Sequence, residues 1–553
     1  MTVRISSFLW HTLARGPLWG KPASIPREAK RWVTSRRTSF AVLLLLLFVP
    51  LLILPAHAVS KEIGHEFLPP YHWSYFALAR FEALGFCILP SERRFTRDEV
   101  IQYVSEIKEG IAASKATLHG RDKFNLDRLE QEFFDSESQA NPKARFDPPV
   151  LYASDGSLHF EFDIDLGAAA RDTTQWDFFG VSNPTLRLHI TDSWTYELRY
   201  RIVMGPERDG RERGAYPSTR ERSWRGLTSL YERSYLAYYR GWGNLFLGRD
   251  YVDWGPAGDR NVILAKEAGS QDLLGGRIRF KNFRLDAIHV ILSSTDERYL
   301  SGHRLQMMVG KLVLGLSETV IHRDRLLDPA YLLPFASFYA NQYAERGDDN
   351  VLWAIDAKYR VTNGLVVDGS LLIDDFQYER GDSAADSYAF NVGVRGALAR
   401  PLPADLDVRY RHVTMYTYTH RDSLNYHVGG SGNPNVGEPI LGVTEGPDAD
   451  LLTASVDVFP LPRLTTSLLF ASLRRGEGNG FRAFEPGDDP SPRFPSGVVE
   501  RTTSLKLRVV WAFDGNSHAS AEIARALIEN ENHVPGADVW RTSLRFIVRW
   551  NFK

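Results

Sequence analysis

The chain has 553 residues, a formal net charge of −2, 43% hydrophobic residues and 12% aromatic residues. A mean hydropathy of −0.27 is too polar for a bundle of membrane helices, whereas 13 Trp and 23 Tyr suit a sheet in which every second residue faces lipid. Near-neutral charge supplies no long-range field to recruit nucleic acid, and a single cysteine, Cys87, excludes an intramolecular disulfide and a cysteine-based zinc cluster.

The first recognisable element is the apolar run from Phe40 to Pro55, preceded by Arg31, Arg36 and Arg37 and followed by Ala56, His57 and Ala58. A basic flank, a short apolar core and a small-x-small end predict a secretory signal peptide over residues 1–58, cleaved after Ala58. The run is shorter than the roughly 20 residues a membrane helix needs, and it contains Pro50 and Pro55.

Residues 59–145 form the next unit, a helical periplasmic region. From Tyr71 to about Glu137 the apolar spacing is helical. Thr96-Arg97-Asp98-Glu99 is a capping box, in which hydroxyl and carboxylate satisfy amides left open at a helix start. Val100, Tyr103, Ile107 and Ile111 then make one apolar stripe. A further helix is predicted from Asn125, with Leu126, Leu129 and Phe133 on one face. Cys87, among Leu84, Phe86, Ile88 and Leu89, reads as a buried structural thiol. Helices this short need a surface to pack on, either as a plug on the end of a barrel or as a docking site for a periplasmic partner.

From residue 146 to 553 alternation dominates. Leu158, Phe160, Phe162, Ile164 and Leu166 interleave with His159, Glu161, Asp163 and Asp165, and Trp194 to Ile202 repeats the pattern. One face is oily and the other charged. Some 400 residues of this predict a mainly β fold, a large closed antiparallel transmembrane β-barrel of about 18 strands, with closure removing the exposed edges. The chain ends on such a strand, Trp540 to Phe552, similar to the terminal strand of outer-membrane barrels except that Lys553 follows the last aromatic. Met204 to Arg225, His420 to Asp450 and Arg474 to Glu500 read as long extracellular loops, and Val361-Thr362-Asn363-Gly364 as a tight turn.

Specific catalytic signatures are missing: there is no Gly-x-Ser-x-Gly elbow, His-Glu-x-x-His or Walker loop. Asp163-x-Asp165-x-Gly167 lacks the remaining ligands of a calcium loop. No catalytic residue, metal ligand or cofactor site is therefore assigned.

The stretch least like a generic barrel is Gly248-Arg249-Asp250-Tyr251-Val252-Asp253-Trp254-Gly255-Pro256, followed by His303-Arg304-Leu305 and Leu314-Gly315-Leu316-Ser317-Glu318. With the export signal, the capped helix and the strand-rich remainder, it resembles the Wzi family of capsule assembly proteins over nearly the whole mature chain. The resemblance implies a non-enzymatic barrel in the outer membrane of a Gram-negative bacterium. Its partners would be capsular or extracellular polysaccharide, outer-membrane lipid and a polysaccharide export complex.

Arg249, Asp250, Trp254, His303, Arg304 and Glu318 are the candidate polysaccharide-binding or lumen residues. Sugars are held by planar hydrogen-bonding groups and by aromatic faces. The same residue types also brace a barrel wall from within. A porin or substrate-specific channel and an outer-membrane hydrolase remain as alternatives, because the charged strand faces would suit an open pore and a Ser/His pair need only meet in space.

Overall fold

The computed structural model describes residues 65–118, 120–134, 151–152, 158–172, 176–204, 227–345, 349–375, 385–421, 424–429, 439–513 and 517–552. The predicted signal segment and most of the loop from Met204 to Arg225 lie outside them.

Eighteen antiparallel strands close into a barrel. The first six are β1 (Leu158–Arg171), β2 (Asp177–Thr191), β3 (Trp194–Met204), β4 (Leu227–Arg240), β5 (Gly243–Asp250) and β6 (Gln271–Phe280). Then come β7 (Phe283–Ser293), β8 (Arg298–Val309), β9 (Leu312–Arg323), β10 (Asn350–Thr362), β11 (Leu365–Asp375) and β12 (Ser387–Leu398). The last six are β13 (Ala404–Val413), β14 (Ala449–Leu461), β15 (Leu464–Arg475), β16 (Glu500–Ala512), β17 (His518–Glu529) and β18 (Val539–Phe552). Each pairs with the next, and β18 returns to β1 in a ladder from Ser543↔Arg171 to Phe552↔Phe162. The short pairing of Leu151–Tyr152 extends the start of β1.

Alternation sorts the side chains with the oily face outward. Phe178 is 71% exposed and Leu166 59%, positions that would be costly in water and are natural against lipid. The inside is the reverse: Arg233, Arg298, Arg304 and Arg409 head the large side chains that are fully buried. This is a barrel of the outer membrane of Gram-negative bacteria. Among the described residues no helix is long and apolar enough to cross a membrane; the crossing is made by strands.

Both chain ends of the barrel and the short turns share one rim, which makes it the periplasmic one. The turn at Asn363-Gly364 is among them, as the sequence predicts. Three helices pack there: α1 (Ser74–Leu84), α2 (Arg97–Ser114) and α3 (Gly120–Phe133). The capping box at Thr96 and Glu99 is formed. Tyr75, Leu78 and Phe81 of α1 meet Val104 and Ile107 of α2 and Leu129 and Phe133 of α3 in one apolar cluster, with Cys87 buried beside them. Arg80 ties this bundle to the rim, pairing with Asp122 at 2.5 Å and with Asp405 at the start of β13 and donating to the Leu398 carbonyl at 2.9 Å. Gly364 donates its amide to Ala83 O at 2.7 Å.

α3 starts five residues before the predicted Asn125. The Arg80–Asp122 pair and the hydrogen bond from Arg121 to Pro462 O, 2.9 Å long, hold its first turn against the barrel, and Asn125 is buried within the helix rather than capping it. Two further short helices, α4 (Pro329–Leu332) and α5 (Phe338–Glu345), interrupt the strand series between β9 and β10, where the alternation pattern predicts none.

Candidate functional site

A barrel of this strand number encloses more space than its own side chains fill, and here chain from both ends enters it. The segment after α1 rises into the lumen, where Glu92 bridges to Trp254 in the loop between β5 and β6. From the opposite rim that loop and the one between β13 and β14 fold inward. Tyr418 donates its hydroxyl to Val262 O at 2.5 Å and Ala265 its amide to Leu441 O at 2.7 Å. Tyr418 and Tyr426 stack at 5.8 Å. Trp254, Val262, Leu264, Leu424, Tyr426 and Val443 join one buried cluster with inward residues of the wall, such as Leu300 and Ile321. Burying so much apolar surface fixes these loops as part of the core.

A network of guanidiniums and carboxylates ties the rising segment to the wall. Arg284 Nη1 reaches Glu92 Oε1 at 2.6 Å and Arg277 Nη2 reaches the same oxygen at 2.8 Å, while Arg277 Nε holds Asp286 at 2.7 Å. Arg284 also contacts Glu99, so the carboxylate that caps α2 serves a second partner. Arg304 takes Asp356 in a two-pronged pair at 2.6 and 3.0 Å and donates to Ser91 Oγ at 2.7 Å.

A second node centres on Arg233, which donates to Asp250 at 2.7 Å, Glu197 at 2.6 Å and the Phe67 carbonyl at 2.9 Å. Arg94 pairs with the same aspartate at 3.1 Å, its guanidinium carbon lying 3.6 Å from the Phe246 ring centroid. Burial would raise the Glu92 carboxyl, but Arg277, Arg284 and Arg304 outweigh it and hold it at about 2. These pairs are desolvated and multiply bonded, so breaking one strands its partner at a cost of roughly 3–5 kcal/mol.

Of the six candidate residues, the structure brings Asp250, Trp254 and Arg304 into this lumen. Arg249, His303 and Glu318 are on the other face of the wall. Arg249 grips Asp272 outside at 2.7 and 2.6 Å beneath the Tyr231 ring, and His303 Nε2 meets Glu318 at 3.1 Å on the outer side of β8 and β9. Neighbours in a strand point to opposite faces, so Arg249 and Asp250, or His303 and Arg304, could never share a site. Arg233, Arg277, Arg284, Asp286 and Asp356 were not singled out from the sequence. The usable signal was a charge at every second position of an otherwise apolar strand, as in Arg284-x-Asp286.

The plug does not fill the barrel. Along β13 to β18, β1 and β2 it leaves a cavity of about 900 Å³ lined by both charge signs, among them Arg187, Asp405, Asp457, Arg508 and Arg549. Among the described residues no group of His, Cys, Asp and Glu is arranged to hold a metal ion.

No protein-family model and no curated protein matches the chain. Among solved structures it is similar to Wzi of Escherichia coli, described as an outer membrane protein involved in group 1 capsule assembly and a carbohydrate-binding β-barrel. The TM-score is 0.56 at 12% identity, over 87% of this chain and 98% of that one. OprD of Pseudomonas aeruginosa aligns at TM-score 0.43 and 10% identity, over 71% and 95% of the two chains. A loop L8 deletion mutant of OmpT, an outer membrane protein of Vibrio cholerae, aligns at 0.33 and 8%, over 71% and 99%. The likeness to Wzi is one of fold, and the other two are too distant to bear on it.

Proposed function

We propose that this protein is a non-enzymatic outer-membrane barrel that binds capsular or extracellular polysaccharide on its extracellular loops and helps anchor or assemble it at the cell surface. The observation that carries the reading is the occupied lumen. A diffusion channel has no use for two plugs that meet at Glu92 and Trp254, the lower one tied to the wall by buried ion pairs, whereas a surface anchor gains a rigid platform. The fold shared with a carbohydrate-binding barrel supports it. On this reading the glycan meets the outer loops, where residues 476–499 expose Arg482, Asp489 and Arg493 beside half-buried Phe484, a mixture of planar polar groups and an aromatic face suited to sugar. Residues 1–58 then act as the export signal, and the helical region is the periplasmic plug.

The test pairs two measurements on purified protein. Planar bilayers should show no stable channel, and the polysaccharide of the producing strain should be retained on immobilised protein. A steady open conductance without polysaccharide retention would overturn the proposal. That result would favour the second reading, a substrate-specific channel, whose support is the charged cavity along β13 to β18, β1 and β2.

A further inference from the structure

The chain between β9 and β10 lies against the outside of the barrel. Tyr331 of α4 and Phe338 of α5 are 2% and 1% exposed, buried against Val320 and Val351. Both of those face outward, because their neighbours Ile321 and Leu352 point into the lumen cluster. Glu318 is the clasp. It accepts from the Tyr339 amide at 2.9 Å, from Ser337 Oγ at 3.2 Å and from Trp353 Nε1 at 2.8 Å, besides its contact with His303. A second tie joins Tyr331 to Asp349 at 2.6 Å. The segment thereby roofs outward polar residues of β7 to β9, His289, Tyr299 and His322, that would otherwise be bare above the oily belt.

Its other surface is unusual for chain in water. Leu333 is 59% exposed, Phe335 82% and Tyr343 79%. Large apolar groups gathered this way mark an interaction surface. This one is continuous with the bilayer-facing wall: Tyr339 meets Trp353 edge-on at 5.4 Å, and Trp353 stands beside outward Ile355 and Leu316. A short amphipathic element clamped at the top of the belt, tyrosines and phenylalanine outermost, has the form of a segment lying in the membrane interface.

We propose that residues 326–345 form an apron that seats Leu333, Phe335 and Tyr343 in the outer leaflet, so that bilayer lipid is the partner of this surface. The apron would fix the depth and tilt of the barrel from one side, because no other described loop presents such a cluster above the belt.

Site-directed fluorescence tests this on the full chain in vesicles of phosphatidylethanolamine and phosphatidylglycerol. Cys87 is buried and stays unlabelled in the folded protein, so Phe335→Cys and Tyr343→Cys can each carry a polarity-sensitive dye; Ser294→Cys, on the exposed turn between β7 and β8, is the control. Heat-modifiable gel mobility establishes that each variant is folded, and having two apron positions guards against one that is not. Dyes at 335 and 343 should emit to the blue of the control and lose at least half their intensity when shallow nitroxide-labelled lipid is added, with the control unchanged. Emission at the control wavelength, quenched by aqueous iodide and not by lipid, would overturn the proposal. A blue shift that follows protein concentration and ignores labelled lipid would overturn it too, assigning the surface to a second copy of the chain.

Discussion

Glu92→Gln keeps the shape of the side chain at the centre of the plug and removes the charge on which Arg277 and Arg284 converge at 2.8 and 2.6 Å. Arg277, Arg284 and Arg304 hold its carboxyl well below the ordinary 4.5, and leaving such buried guanidiniums without their charge partner costs roughly 3–5 kcal/mol. The substitution should therefore raise the undocked population of the plug by at least on the order of 10²-fold. Hydrogen exchange of peptides covering residues 91–107, measured in the intact barrel, reads that population directly. Glu109→Gln, on the exposed face of α2, provides the comparison and should exchange like the parent. The same linkage fixes the pH response. A depressed carboxyl contributes fully above its unfolded value, so docking should hold above pH 4.5 and weaken as pH falls from there towards 2. Unchanged exchange in Glu92→Gln, or an equal rise in Glu109→Gln, would refute the reasoning, since the network would then contribute nothing to holding the plug.

Arg304→Ala and Arg249→Ala should differ sharply in urea midpoint by gel mobility. The first strands buried Asp356 at roughly 3–5 kcal/mol, and the second breaks a pair whose Asp272 is 46% exposed, worth under about 1 kcal/mol. Gly315→Ala places a Cβ against the Arg304 guanidinium and the Asp356 carboxylate and should cost about 1–3 kcal/mol in the same assay. Gly396→Ala, which meets only ordinary contacts, should stay within about 0.5 kcal/mol. Trp254→Ala empties the junction between the plug and the inward loop at roughly 3–5 kcal/mol, and limited proteolysis should then cut within residues 251–270, which the parent protects.

What could be read from the sequence follows from which physical periods it carries. A period of two is imposed on every spanning strand by lipid on one side, so the barrel, its approximate strand number and the inward Asp163 and Asp165 were legible, as was the capped helix at Thr96. Loops carry no period. The inward folding of Tyr418 and Tyr426 and the outer clamp on Glu318 depend on tertiary burial, and nothing local announces either. α4 and α5 are too short for a helical stripe to emerge. The site was half legible for a sharper reason. Chemical type alone nominates all six candidates, whereas the alternation of the strands puts Arg249 and Asp250, and likewise His303 and Arg304, on opposite faces. Tyr71 to Glu137 shows the converse: the helical period is plain, but the start of α3 is set by Arg80 and Pro462, far away in sequence.

The closure of β18 on β1 bears on how the molecule is assembled. Every other ladder between spanning strands joins sequence neighbours, whereas Arg549 meets Asp165 across 384 positions, so the wall can zip hairpin by hairpin while its final seam waits for the last residues of the chain. The plug precedes all of these strands in sequence, yet Glu92 finds its partners only 185 and 192 positions later, in Arg277 and Arg284. Docking of the rising segment therefore needs β6 and β7 in place, and once the seam forms that segment has a wall on every side. The order of residues along the chain thus bears on the order of events, since the seam is left to the last strand.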